Sequence, residues 1–354
     1  MIGASWRLVG AVVLVCAPGF AAQYDVLDLG TLGGTFSRAW GINDVGQIVG
    51  ESLLTDGETS RAFLWDSAGM WDLGTLGGPQ GVAYGINGAG HAVGWSQPIS
   101  QASVMPTTWT PAMASALPTL PGGSGVAWAC NDAGQVVGRS SVGGGHSHAT
   151  QWEDGCVTDL TTLGGYDSIA YDINQCGHVV GQAEATDGRD LAALWDEHGA
   201  IRSLDALVGG SWSAARGINN FGQVAVTGDT AEALARAALW HDGQYTELGT
   251  FGGDESWAYD INNLGQVVGW AEFSNGIYHG FFYDGQQKHD LGTLGGLFSS
   301  AVAINDHGWI AGWSQTLDGD THAALWTPVC EPAGLAVVLL GLGIIGRRRP
   351  RWRA

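Results

Sequence analysis

Charge is scarce in this chain. Lysine, arginine, aspartate and glutamate together make 14% of the 354 residues, and the basic ones are scarcest where they would matter. Arg7 lies near the start and five more bases fall in the last eight positions, so residues 23–330 hold 8 bases against 33 acids. A surface this short of positive charge does not neutralise phosphate, which excludes nucleic acid and anionic lipid surfaces as partners and leaves cations and neutral glycans. Cysteine is also sparse. Cys16 and Cys330 belong to the end segments, leaving Cys130, Cys156 and Cys176 between them. These show no metal-ligand spacing and no dense framework, so they allow at most one disulfide, which the sequence does not choose. What is plentiful is glycine, at 58 residues, and tryptophan, at 17. That balance favours turns and aromatic packing among many short strands over charged helices.

Long apolar runs occur only at the two ends. Arg7, the run Leu8 to Cys16 and the small residues up to Ala21 and Ala22 form the charged, greasy and cleavable parts of a secretory signal, so residues 1–22 are expected to be removed on export. At the other end Glu331-Pro332 precedes an apolar run from Ala333 to Gly346, followed by Arg347, Arg348, Arg349, Pro350, Arg351, Trp352 and Arg353. Fourteen apolar residues are fewer than the roughly 20 of a full membrane span, yet the arginine block is a strong positive-inside stop. This tail, 329–354, resembles the PEP-CTERM sorting tail of Gram-negative bacteria, with Cys330 where that family usually has its first proline. The resemblance implies processing by an exosortase-type membrane enzyme, transient anchoring in the inner membrane, and a place at the cell surface or in the extracellular matrix. A simple membrane anchor is the plainer alternative.

Between the ends the sequence repeats. Glycine pairs end at Gly34, Gly78, Gly123, Gly165, Gly210, Gly253 and Gly296; asparagines recur at Asn43, Asn87, Asn131, Asn174, Asn219, Asn262 and Asn305; aromatics follow at Trp65, Trp109, Trp152, Trp195, Trp240, Tyr283 and Trp326. The steps of 42 to 45 residues match the period of a four-stranded propeller blade and exceed that of leucine-rich or ankyrin units. Unit 1 shows how one copy reads: strands over 39–43, 47–52, 61–66 and 70–73, with Asn43-Asp44-Val45-Gly46 and Asp66-Ser67-Ala68-Gly69 as turns. Ala39 and Gly41 are expected to face one way and Trp40 and Ile42 the other, a small/large alternation suited to stacked sheets. Unit 2 is the weak copy, because five of the ten prolines fall in its outer half or just beyond. Tyr24 to Leu29 matches a fourth strand, while the last unit stops after Trp326 without one. The expected fold for residues 23–328 is therefore all-β: a seven-bladed β-propeller of four-stranded antiparallel blades, closed by the N-terminal strand. An open β-solenoid is the alternative.

Three segments, Leu29-Gly30-Thr31-Leu32-Gly33-Gly34, the stretch from Ala39 to Gly50, and His322-Ala323-Ala324-Leu325-Trp326, resemble the HAF extracellular repeat family. The resemblance spans about 300 residues and implies an exported surface protein, with no agreed reaction or ligand. His148, His279 and His322 fill the histidine of the family triplet, whereas Arg61, Leu191 and Arg236 replace it.

Features copied seven times are explained by the fold: the asparagines as turn formers, the glycine pairs as bends, the aromatics as core. A phosphate loop is excluded, since neither its lysine nor its strand-turn-helix context is present. No cofactor is expected. His146-Ser147-His148 lacks a third metal ligand nearby. The acid-rich loops at 56–58, 187–190 and 318–320 offer oxygen ligands for calcium but not a full ligand run, so polar turns account for them. No catalytic signature marks a hydrolase or lyase working through loop carboxylates, the enzymatic alternative. The expected function is a non-enzymatic binding or structural module for extracellular polysaccharide or another envelope component. Its binding face is placed on the loops that vary between units, at Asp187, Asp190, Asp254, Glu255, Asp318 and Asp320.

Overall fold

The computed structural model describes residues 23–99, 103–111, 113–204 and 210–329. The leader and the sorting residues Glu331, Pro332, Arg347, Arg348 and Arg349 lie outside them. Among the described residues no helix is long and apolar enough to cross a membrane.

Each unit folds as an antiparallel meander. In unit 1 the strands are Gly33–Ile42, Ile48–Leu54, Ser60–Asp66 and Gly69–Asp72, paired in chain order. The first hairpin forms because Gly46 takes φ 83° and closes the turn onto Asn43, whose amide in turn bonds Gln47 O. Units 2 to 6 are separate four-stranded sheets of the same order. Unit 2 keeps all four strands despite its prolines, with a short fourth strand, Ala114–Ala116. Unit 7 supplies three strands, and Tyr24–Asp28 pairs antiparallel with its last one, Thr321–Pro328, from Tyr24↔Pro328 to Asp28↔Ala324. A single parallel pair, Phe36↔Thr321, joins this sheet to unit 1, so the two make one eight-stranded sheet.

The core lies between neighbouring sheets. Trp109, Trp152, Trp195, Trp240 and Trp326 are buried on the third strands, each worth about 3–5 kcal/mol on truncation to alanine. Three of the indole N–H groups fasten the preceding unit: Trp109 donates to Gly74 O, Trp152 to Pro118 O and Trp195 to Leu160 O. Units 7 and 1 share a cluster of the same kind, in which Ala311, Ala323 and Leu325 pack on Leu29, Ala39, Ile48 and Phe63.

Two local features depart from the simple strand reading. The first strand begins at Gly33, six residues before the expected Ala39, and its register slips between Gly33 and Ser37. A second bulge follows Ala39 and recurs in all seven units. The strict alternation of Ala39 and Gly41 against Trp40 and Ile42 is thereby broken, and Trp40, Gly41 and Ile42 all border the same central cavity. The bulge also explains Gly50: a Cβ there would sit 1.9 Å from Arg38 O and 2.7 Å from the Phe63 ring.

The histidine triplet has a structural role. His148 bonds Asp159, His279 bonds Asp290 and His322 bonds Asp28, each from the third strand to the fourth of the same sheet. Where arginine replaces histidine in unit 5, Arg236 meets Glu247 at 3.4 Å. Burial raises Asp290, but the hydrogen bonds from His279 and Gly292 outweigh it and hold its carboxyl below the usual range.

Candidate functional site

The first strands of all seven units surround a cavity of about 200 Å³. The residue at each second bulge borders it: Trp40, Tyr84, Trp128, Tyr171, Arg216 and Tyr259, with Val302 in unit 7. The first four make an aromatic arc. Trp40 meets Tyr84 edge-on at 5.6 Å, Tyr84 stacks on Trp128 at 4.1 Å, and Trp128 meets Tyr171 edge-on at 5.8 Å. Arg216 breaks the aromatic series. Its guanidinium lies 4.4 Å from the Tyr171 ring centre and within 6 Å of Trp257 and Tyr259. Arg216 Nε and the indole nitrogens of Trp128 and Trp257 are buried with no hydrogen-bond partner among the described residues.

The next position is small in five units, Gly41, Gly85, Ala129, Gly217 and Ala303, but acidic in two, Asp172 and Asp260. Asp172 accepts from Ile173 N at 2.8 Å and, across to the next unit, from Ile218 N at 2.8 Å. Asp260 repeats this with Ile261 N and Ile304 N. Burial raises both carboxyls, and the charge of Asp260 adds to the rise at Asp172, while the backbone donors oppose it.

An adjoining recess of about 190 Å³ leads to the face carrying the Asn-x-x-Gly turns. Here the asparagines do more than form turns. Each is buried and donates Nδ2 to the carbonyl of the next asparagine: Asn43 to Asn87, then Asn131, Asn174, Asn219, Asn262, Asn305, and from Asn305 back to Asn43 O at 3.0 Å. A second circle runs through the following residue, as in Asp306 N to Asp44 Oδ1 and Asn220 N to Asn263 Oδ1. It is interrupted at Gly88, which has no side chain to offer the Asp44 amide. Asp44, Asp132 and Asp306 make this mouth acidic.

The six residues expected from sequence lie elsewhere, on loops and strand ends of units 4, 6 and 7. Asp187 pairs with Arg189 at 2.7 Å, and hydrogen bonds from Arg189 lower its carboxyl. Asp190 begins a third strand, its carboxyl raised by partial burial and by Glu184 and Asp167. The backbone amides of Asp254 and Glu255 donate to Glu272 Oε2, and the Asp254 carbonyl accepts from Arg236. Asp318 and Asp320 flank the turn glycine Gly319. None of the six borders the cavity. His146 pairs with Asp167 and His148 with Asp159, and among the described residues no group of three or more possible metal ligands gathers. Cys130, Cys156 and Cys176 are free thiols, and burial pushes Cys130, at the cavity wall, up to about 12. The charges that do converge, Asp172, Arg216 and Asp260, had a signal in the sequence: each is a charge in a repeat column otherwise small or aromatic.

No protein-family model matches the chain, and no curated protein matches it in sequence. Its likenesses are to solved structures and define the chain as a β-propeller. YCF48 bound to D1 peptide superposes with TM-score 0.53 at 12% identity, over 89% of this chain and all of that one. A puromycin hydrolase variant complexed with PGG gives 0.54 at 13% identity, over 81% of this chain and 51% of the hydrolase. TolB from Acinetobacter baumannii gives 0.49 at 13% identity, this chain covering 65% of its length. At such identities the first two likenesses carry the fold alone.

Proposed function

We propose that the seven units close into one ring, a seven-bladed propeller completed by the N-terminal strand, which serves as an exported surface module that binds extracellular polysaccharide or a related envelope glycan without transforming it. Closure is supported by the pairing of Tyr24–Asp28 with Thr321–Pro328 and by the Asn305 link to Asn43. Export and transient anchoring rest on the signal-like leader and the arginine-ended tail, with an exosortase-type enzyme as the processing partner. The observation that carries the binding reading is the convergence of Asp172, Arg216 and Asp260 on a cavity walled by five aromatics. Asp172 and Asp260 also tie their units to the next through Ile218 N and Ile304 N, whereas Arg216 Nε has no partner among the described residues.

Binding is favoured over catalysis by what the acids do. Both oxygens of Asp172 and of Asp260 accept backbone amides, one within the unit and one from the next. Held in this way the carboxyls are fixed acceptors with lone pairs left for a ligand hydroxyl, whereas a nucleophile needs an oxygen aimed at the reacting carbon. That a propeller of this kind can serve as a binding scaffold is seen in YCF48, which holds a peptide.

The test is retention of the full mature chain on native matrix polysaccharide. Arg216→Met should lose retention, while joint neutralisation of Asp187, Asp190, Asp318 and Asp320 should keep it. The opposite pattern would move the ligand to the loop face, and turnover of the glycan would make the protein an enzyme.

A further inference from the structure

From the cavity's size and its two unlike walls, we infer that its ligand is a single uncharged pyranose ring, either a chain end or a side branch of a glycan. The inference rests on the reading of this cavity as the binding site.

Size comes first. A cavity of about 150 Å³ accommodates benzene, and drug-sized ligands occupy about 300 Å³ or more. At about 200 Å³ this one suits one six-membered ring with its substituents. The walls then say which kind of ring. Tyr84, Trp128 and Tyr171 present an aromatic arc, suited to the C–H face of a sugar. Arg216 and Trp128 carry donors with no protein partner, Arg216 Nε and the Trp128 indole N–H, and such buried donors call for acceptors on the ligand. Asp172 and Asp260 each accept two amides, and a carboxylate has about four lone-pair sites, so each retains room for a ligand hydroxyl. A pyranose has this pairing of an apolar face with an edge that both accepts and donates.

Charge decides between sugar classes. An anionic sugar would enter past Asp44, Asp132 and Asp306. A cationic amino sugar would share the space with Arg216, whose guanidinium already stacks on Tyr171. A neutral ring meets neither opposition.

The experiment uses the full mature chain and a panel of methyl glycosides: neutral glucose, galactose and mannose, anionic glucuronate, and cationic glucosamine. Saturation-transfer NMR reports contact, and calorimetry gives affinities. At least one neutral glycoside should bind through its C–H protons, at least tenfold more tightly than either charged sugar. Arg216→Met should weaken it tenfold or more. Trp128→Phe keeps the aromatic face and removes the N–H, and should weaken it several-fold with an unchanged melting temperature. A preference for a charged sugar would overturn the inference, as would unaltered binding in both folded variants. If no glycoside binds while polysaccharide retention still depends on Arg216, the single-ring inference fails and the binding-module reading stands. If retention is independent of Arg216 and no glycoside binds, both fall.

Discussion

If the ring is closed, the last asparagine link should be as costly to break as any in the middle. Asn174 and Asn305 have matched surroundings. Each is 4% exposed, accepts two amides of its own turn through Oδ1, and donates Nδ2 to the next unit, at 3.1 Å to Asn219 O and 3.0 Å to Asn43 O. Replacement by aspartate keeps the turn bonds and sets a carboxylate oxygen against the neighbouring carbonyl. One lost hydrogen bond costs about 1 kcal/mol, and a desolvated acceptor left without a donor costs about 1–3 kcal/mol more. Asn174→Asp and Asn305→Asp should therefore each lose about 2–4 kcal/mol in urea unfolding at pH 7. The loss should shrink under acid conditions, where a protonated carboxyl can again donate to the carbonyl. Were the array open, water would reach the end unit. An Asn305→Asp variant within about 0.5 kcal/mol of the parent, beside a full loss in Asn174→Asp, would refute closure.

Two further outcomes follow from the same packing. Gly50→Ala forces a methyl into Arg38 O and should cost more than about 3 kcal/mol or prevent folding, whereas Gly57→Ala meets open space and should cost only about 1 kcal/mol for its positive φ; melting temperatures of the two compare them directly. Asp172 and Asp260 hold their protons to higher pH when folded than when unfolded, so their contribution to stability is present below the ordinary aspartate value of about 4 and is lost as pH rises through their raised values. Urea midpoints of the Asp172→Asn, Asp260→Asn double variant should fall less steeply with pH than those of the parent, and identical slopes would contradict the buried-carboxyl account.

The strands, the hairpin turns and the pairing partner of Tyr24–Asp28 are legible in the sequence because each has a local chemical cause: a turn glycine, an alternating run, or a unit lacking one strand. The bulge after Ala39 is not. It inserts no distinctive residue, and its effect is to present Trp40, Gly41 and Ile42 together to the cavity. The expectation of a binding face at Asp187, Asp190, Asp254, Glu255, Asp318 and Asp320 followed loop variability and acidity, which are visible in one unit at a time. Asp172, Arg216 and Asp260 stand out only when equivalent positions are compared across units, and their meeting at one cavity depends on all seven first strands turning inward. The replacement of histidine by arginine at 236 is likewise unreadable until Glu247 is seen opposite it.

The pairing of the first strand with the last also fixes an order of events during synthesis. Tyr24–Asp28 is made first, yet its partner Thr321–Pro328 is made some 300 residues later. At about 5–20 residues per second the ribosome takes about 15–60 s to supply it. Throughout that interval units 1 to 6 have their own strands, but the earliest strand has none to join. Bringing these strands together closes a loop of about 300 residues, and loop-closure entropy makes such a contact slow to find. The meeting of the first and last described strands is thus expected to come late in folding, and until it occurs both present unpaired edges to other chains. On the proposed export, a delay at this step would have a use: a molecule whose final sheet is still unmade would remain threadable.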